Sequence, residues 1–194
     1  MMKSLDDGVG RVMKALGGAR LDRNTLVIFT SDNGGERFSY NWPFTGKKYD
    51  LREGGIRVPA IVRWPGIVPA DRATNQVAVT IDWTTTILAA TQTKADPNYP
   101  LDGDDLLPII RGVRPVYDRA LFWRTRKQDA ARGGKWKYLR EGKDEYLFDL
   151  SVDEREQADF KGQNPDTFER LRAEFQKWQS QVLKYPVSGD GTGG

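Results

Sequence analysis

TLVIFTSDNGG, residues 25–35, decides how this chain is read. Leu26, Val27, Ile28 and Phe29 form an apolar run rich in β-branched and aromatic side chains, the composition of a buried strand. The run breaks abruptly into Ser31, Asp32, Asn33, Gly34 and Gly35. A strand that ends in an acid, an amide and two glycines puts oxygen ligands on a sharp turn at the carboxyl end of a sheet. Open α/β sheets hold their ligands there. Further on come Gly46-Lys47-Lys48, then Arg52-Glu53-Gly54-Gly55, then a second apolar run over residues 57–64. Carboxylate, amide and lysine together suit a hard cation beside an oxyanion.

Outward from this stretch the chain reads as α/β. Leu5, Val9, Val12, Met13 and Leu16 recur at helical spacing, and Gly17-Gly18 ends that helix. Helix then strand is the opening of a parallel α/β layer, so the strands at residues 25–30 and 57–63 are expected to run parallel. The connection over residues 31–55 is long for a compact domain, and long ordered connections are disproportionately functional. Asp82 is placed to cap a helix to about Thr91, and a short helix is expected near residues 104–111. The character changes near residues 113–118. Beyond it, residues 120–126, 130–132, 135–140 and 145–149 read as short antiparallel strands, with turns at Gly133-Gly134 and Gly142-Lys143. A last helix starts at Asn164 with Pro165 in its first turn and runs to about Lys184. Phe168, Leu171, Phe175, Trp178 and Val182 form its apolar stripe. The expected division is residues 1–115 as an α/β part, 116–187 as an antiparallel-sheet and helix subdomain, and 188–194 as a disordered tail.

Composition narrows the function. The 194 residues carry no Cys and no His. Disulfides and thiolate metal sites are therefore excluded, and so is the usual proton shuttle near neutral pH. Basic residues number 30 against 27 acidic, mixed along the chain, with no basic cluster interleaved with aromatics. No nucleic-acid partner is expected. No apolar run is long enough to span a bilayer, and Met1-Met2-Lys3-Ser4 leads into Asp6-Asp7 without the apolar stretch of a signal peptide.

TLVIFTSDNGG, the spacing from Lys48 to Glu53 ahead of Gly54-Gly55, and IRVPAIVRWPG together resemble the sulfatase family of the alkaline-phosphatase-like superfamily. DWTTTILAA from Asp82, DGDDLLPIIRG from Asp102, KWKYL from Lys135 and EYLFDL from Glu145 extend the resemblance over nearly the whole chain. The resemblance implies the C-terminal part of an alkaline-phosphatase-like sulfatase fold. It implies that Asp32 and Asn33 help cage a calcium or magnesium ion, and that Lys48 binds a sulfate oxygen and stabilises charge on the leaving group. In isolation Asp32 and Asn33 read more readily as turn formers, and Lys48 as a solvated lysine with Lys47 its adjacent competitor. Phe38, Tyr40, Trp42 and Phe44 either line a substrate mouth or pack on another part of the fold. Trp123 and Arg124 are further substrate-contact candidates.

One departure matters as much as the match. Sulfatases convert a Cys or Ser in a C/S-x-P-x-R motif into formylglycine. Neither Cys nor Ser-x-Pro-x-Arg occurs here: Ser4, Ser31, Ser39, Ser151, Ser180 and Ser188 all lack a proline two residues on. The expected activity is therefore that of a sulfuric-ester hydrolase lineage, with a chain that is inactive alone. The alternative is a non-catalytic sulfatase-derived binding or oligomerising domain, and a phosphoesterase of the same superfamily is the third reading. The expected ligand is a sulfated small molecule or sugar.

In the family fold the helix at residues 5–16 and the strand ending at Asp32 pack on elements that precede them. Uncovered, the Val9/Met13 face or Val27 and Phe29 would be buried in a homo-oligomer. Sedimentation across a concentration series is expected to show self-association, or else the chain is poorly soluble; a soluble monomer at high concentration would contradict it.

Overall fold

A computed structural model describes residues 2–184. The expected tail at 188–194 lies outside the described residues. The element order is α1 (Met2–Gly18), β1 (Val27–Thr30), α2 (Glu53–Ile56), β2 (Ala60–Arg63), α3 (Asp82–Ala90), α4 (Leu107–Ile110), β3 (Ala120–Arg124), β4 (Gln128–Gly133), β5 (Trp136–Glu141), β6 (Asp144–Asp149) and α5 (Pro165–Gln181). No helix among the described residues is long and apolar enough to cross a membrane. The chain forms two compact units, each discontinuous in sequence. The first holds described residues 2–32 and 59–117, the second residues 33–58 and 118–184.

In the first unit β1 and β2 pair antiparallel, Val27 with Arg63 and Thr30 with Ala60. This corrects the parallel arrangement expected from the helix–strand order. The reason lies in where the connection leaves and returns. Thr30 and Ala60 are cross-strand partners, and the Thr30 hydroxyl donates to the Pro59 carbonyl at 3.0 Å, so residues 31–59 depart and rejoin at the same end of the pair. A parallel pair would have required the chain to travel back to the Val27 end. α1 forms as its periodicity dictates, but none of its residues is buried. α3 and α4 are joined by side chains at their ends. The buried Asp82 carboxylate accepts from the backbone N–H of Val79 and of Asp104, and the Thr86 hydroxyl accepts from the N–H of Leu106.

The second unit is built on the antiparallel sheet β3-β4-β5-β6. Its side chains alternate between two covered faces, as pleating demands. One face presents Ala131, Tyr138 and Leu147 to Phe168, Leu171 and Phe175 of α5. The other presents Ala130, Leu139 and Phe148 to Leu51 and Ile56 of the segment 33–58. The strands at residues 120–126 and 130–132 expected from sequence are thus β3 and β4, with slightly different ends. Phe168, Leu171, Phe175 and Trp178 of the expected stripe pack on the sheet, whereas the helix stops at Gln181 and leaves Val182 extended beyond it, and Phe122 stacks on Trp178 with ring centroids 5.4 Å apart. Phe175 is 2% exposed and touches the Phe122, Tyr138 and Trp178 rings. Phe175→Ala is expected to cost about 3–5 kcal/mol in urea unfolding, the range for emptying an aromatic core position.

Candidate functional site

The segment 33–58 carries Asn33, Lys48 and Glu53, and little of it is regular. Its shape comes from backbone hydrogen bonds and one amide side chain. Gly34 N–H donates to the Gly55 carbonyl at 2.8 Å, Lys48 N–H to the Gly35 carbonyl at 2.9 Å, and Gly54 N–H to the Thr45 carbonyl at 2.7 Å. The Asn41 side chain works in both directions. Its Oδ1 accepts from Gly35 N–H, and its Nδ2 donates to the carbonyls of Gly35 and Gly46. The backbone of the Asn33–Gly35 turn is pressed against the Gly54 peptide. A Cβ on Gly34 would overlap the Gly54 carbonyl, so only glycine fits.

The structure thereby brings Lys48 beside the turn that follows Asn33. The Lys48 side chain is about one-third exposed, its Nζ lies 3.8 Å from Glu36 Oε2, and it sits over the Tyr49 ring. A pair that long and that open is weak, so the ammonium is available to a stronger anion. Lys47 is exposed, and its backbone N–H is spent on Asp50. Asp32 is exposed at the end of β1 in the first unit, and Asn33 is half-buried at the start of the segment in the second. Among the described residues no group of three or more His, Cys, Asp or Glu stands in a metal-ligating arrangement. Asp32 and Asn33 have the oxygen chemistry calcium or magnesium prefers. Two side chains fall well short of the roughly 6–8 oxygens calcium takes.

Sequence reasoning missed the residues that fix this segment onto its own sheet. Arg52 grips both Glu141 carboxylate oxygens and donates to the Glu156 carbonyl at 3.0 Å. Gln128 accepts from Leu51 N–H and donates to Glu141, each at 2.7 Å. The Thr45 hydroxyl donates to the Arg155 carbonyl at 2.7 Å. Deeper still, Lys137 Nζ lies 2.9 Å from Glu53 Oε1 and 2.7 Å from Glu156 Oε1, and all three side chains are at most 1% exposed. Glu156 Oε2 also accepts the backbone N–H of Glu53 at 2.6 Å. Arg132 and Arg57 approach the other Glu53 oxygen at 3.6 and 3.8 Å. Burial pushes the Glu156 carboxyl above the ordinary carboxylate range, against the opposing pull of Lys137, and burial lowers Arg132. Lys137 was legible in one respect. Strand alternation puts it on the same face as Leu139, a place no lysine occupies without partners.

Residues 1–93 match the family profile described as Sulfatase. Over that stretch, just under half of the chain, the sequence is similar to the sulfatase family. It is 37% identical to N-acetylgalactosamine-6-sulfatase of Canis lupus familiaris over 128 residues, 63% of this chain and 24% of that protein. To arylsulfatase A of Homo sapiens it is 37% identical over 137 residues, 68% of this chain and 27% of that protein. Among solved structures, Ps i-CgsB in complex with k-i-k-neocarrahexaose superposes with a TM-score of 0.85 at 32% identity, over 92% of this chain and 41% of that one. The chain spans about a quarter of the length of the curated relatives named. The fold agrees with the likeness: helices with small antiparallel sheets in an α/β arrangement. The family's nucleophile motif is absent from these 194 residues.

Arg52 holds the Glu141 carboxyl below its ordinary 4.5, with help from Gln128 and against its partial burial. A carboxylate depressed in the folded state stabilises fully above its unfolded pKa, and that stability is lost as pH falls through the folded value. Urea unfolding is therefore expected to show Glu141→Gln less stable by about 1.5–3 kcal/mol at pH 7, the usual range for a hydrogen-bonded charge. The difference should shrink progressively below pH 4.5.

Proposed function

We infer that this chain is the C-terminal part of a sulfuric-ester hydrolase and contributes sulfate-binding groups to a site whose nucleophile comes from residues outside this sequence. Lys48 is the sulfate ligand. Its ammonium would hold an ester oxygen and spread the charge that builds up as the S–O bond breaks. Asp32 and Asn33 would give two oxygens to a cation that needs further ligands from elsewhere. The ligand class is a sulfated carbohydrate, a reading supported by the N-acetylgalactosamine-6-sulfatase relatives and by the oligosaccharide complex of Ps i-CgsB. The single observation that supports this reading is the bond from Lys48 N–H to the Gly35 carbonyl, which holds the Lys48 backbone beside the glycine turn that follows Asn33.

Electrostatic groups without a nucleophile leave only residual catalysis. The purified chain is expected to leave an aryl sulfate unhydrolysed while binding inorganic sulfate, with Lys48 resonances shifting in an NMR titration. Lys48→Ala should abolish that binding. Hydrolysis by the wild-type chain, reduced by Lys48→Ala, would mean that a nucleophile is present after all. Absence of sulfate binding would remove Lys48 from the site.

A further inference from the structure

Why should three ions be buried beneath a loop whose chemistry is elsewhere? Taking two carboxylates and an ammonium out of water is costly, and apolar side chains would fill the same space more cheaply. What an ion cluster adds is direction, because it is satisfied in one arrangement. Here it forms a closed ring. Lys137 binds the Glu53 side chain, Glu53 gives its backbone N–H to Glu156, and Glu156 returns to Lys137. The ring joins β5, the loop after β6 and the one-turn helix α2.

α2 needs such an anchor. It is four residues long, two of them glycine, and far too short to persist alone. Yet Gly54 and Gly55 are the residues against which the segment's working part rests. Gly55 accepts from Gly34, Gly54 donates to Thr45, and the fit at Gly34 leaves no room for a methyl group. A shift of Glu53 is therefore transmitted to the turn after Asn33, and through the Gly35 carbonyl to the backbone of Lys48.

We propose that Lys137, with Glu156 as its partner, is the positioning residue of this site: it holds Glu53 so that α2 presents the Asn33–Gly35 turn and Lys48 in the geometry that binds a sulfate group. The proposal rests on the reading of Lys48 as the sulfate ligand. Neither Lys137 nor Glu156 touches the ligand; both act through Glu53.

The test compares the 194-residue chain with Lys137→Met and Glu156→Gln, well below their melting temperatures. Amide hydrogen exchange and inorganic sulfate titration are the two readouts. In the variants the amides of Gly34, Gly54 and Lys48 are expected to exchange about tenfold faster or more, as local opening predicts, while Leu139 and Leu147 keep their protection. Sulfate affinity should fall about tenfold, and Lys137→Arg, which restores the charge, should recover part of it. Should Lys137→Met fail to fold, the isosteric Glu156→Gln decides by the same comparison. Unchanged protection at Gly34, Gly54 and Lys48 in a folded variant overturns the proposal. So does unchanged affinity where the wild type binds sulfate through Lys48, which is the outcome of a merely structural role. A wild type that does not bind sulfate refutes the ligand reading instead, and the amide pattern still judges whether Lys137 sets the turn.

Discussion

A single ammonium group, that of Lys137, ties two buried carboxylates together beneath the segment that carries Lys48. Its position follows from strand pleating. Lys137 shares a face of the sheet with Leu139 and pairs across the strands with Arg132 and Phe148. That face receives Leu51 and Ile56, so a lysine there is enclosed whether or not it has partners. Glu53 and Glu156 supply the partners, and their arrival converts an energetic liability into an anchor. Further hydrogen bonds of the segment, at Thr45, Leu51 and Arg52, hold it to the second unit beside this point.

The two units differ in how they spend apolar surface. In the second, aromatic rings from β3, β5 and α5 pack into one cluster, and the opposite face of the sheet is closed by the 33–58 segment. In the first, Leu106 and Ile109 are the buried hydrophobic residues among those described, while Leu5, Val12, Ile61, Ile81 and Ile87 stand exposed. A unit with so thin a core draws much of its order from polar links such as Asp82 to Asp104.

Much of the fold was legible in the sequence because local periodicity decides it. The stripe Phe168, Leu171, Phe175 and Trp178 can only be one side of a helix, and turns at Gly134 and Gly142 mark hairpins, both residues having positive φ. The relative direction of β1 and β2 was not legible, since a parallel and an antiparallel strand read alike when both are short and apolar. For the candidate site, Asp32, Asn33 and Lys48 were named through the resemblance to the sulfatase family. Asn41, Arg52, Lys137 and Glu156 did not, because their roles exist only after distant segments meet. Lys137 and Glu53 are separated by 84 positions, and Glu156 and Glu53 by 103. A charged residue at a buried strand position signals that a partner exists without naming it.

Those separations also set an order of events during synthesis. The segment 33–58 leaves the ribosome before any part of the sheet that will hold it. At about 5–20 residues per second, Lys137 is added roughly 4–17 s after Glu53. Through that interval α2 has no anchor, Gly54 and Gly55 have no fixed place, and Leu51 and Ile56, which the sheet will cover, are carried on an open chain. The nascent polypeptide must therefore keep an apolar, glycine-rich stretch from other chains before its own sheet exists.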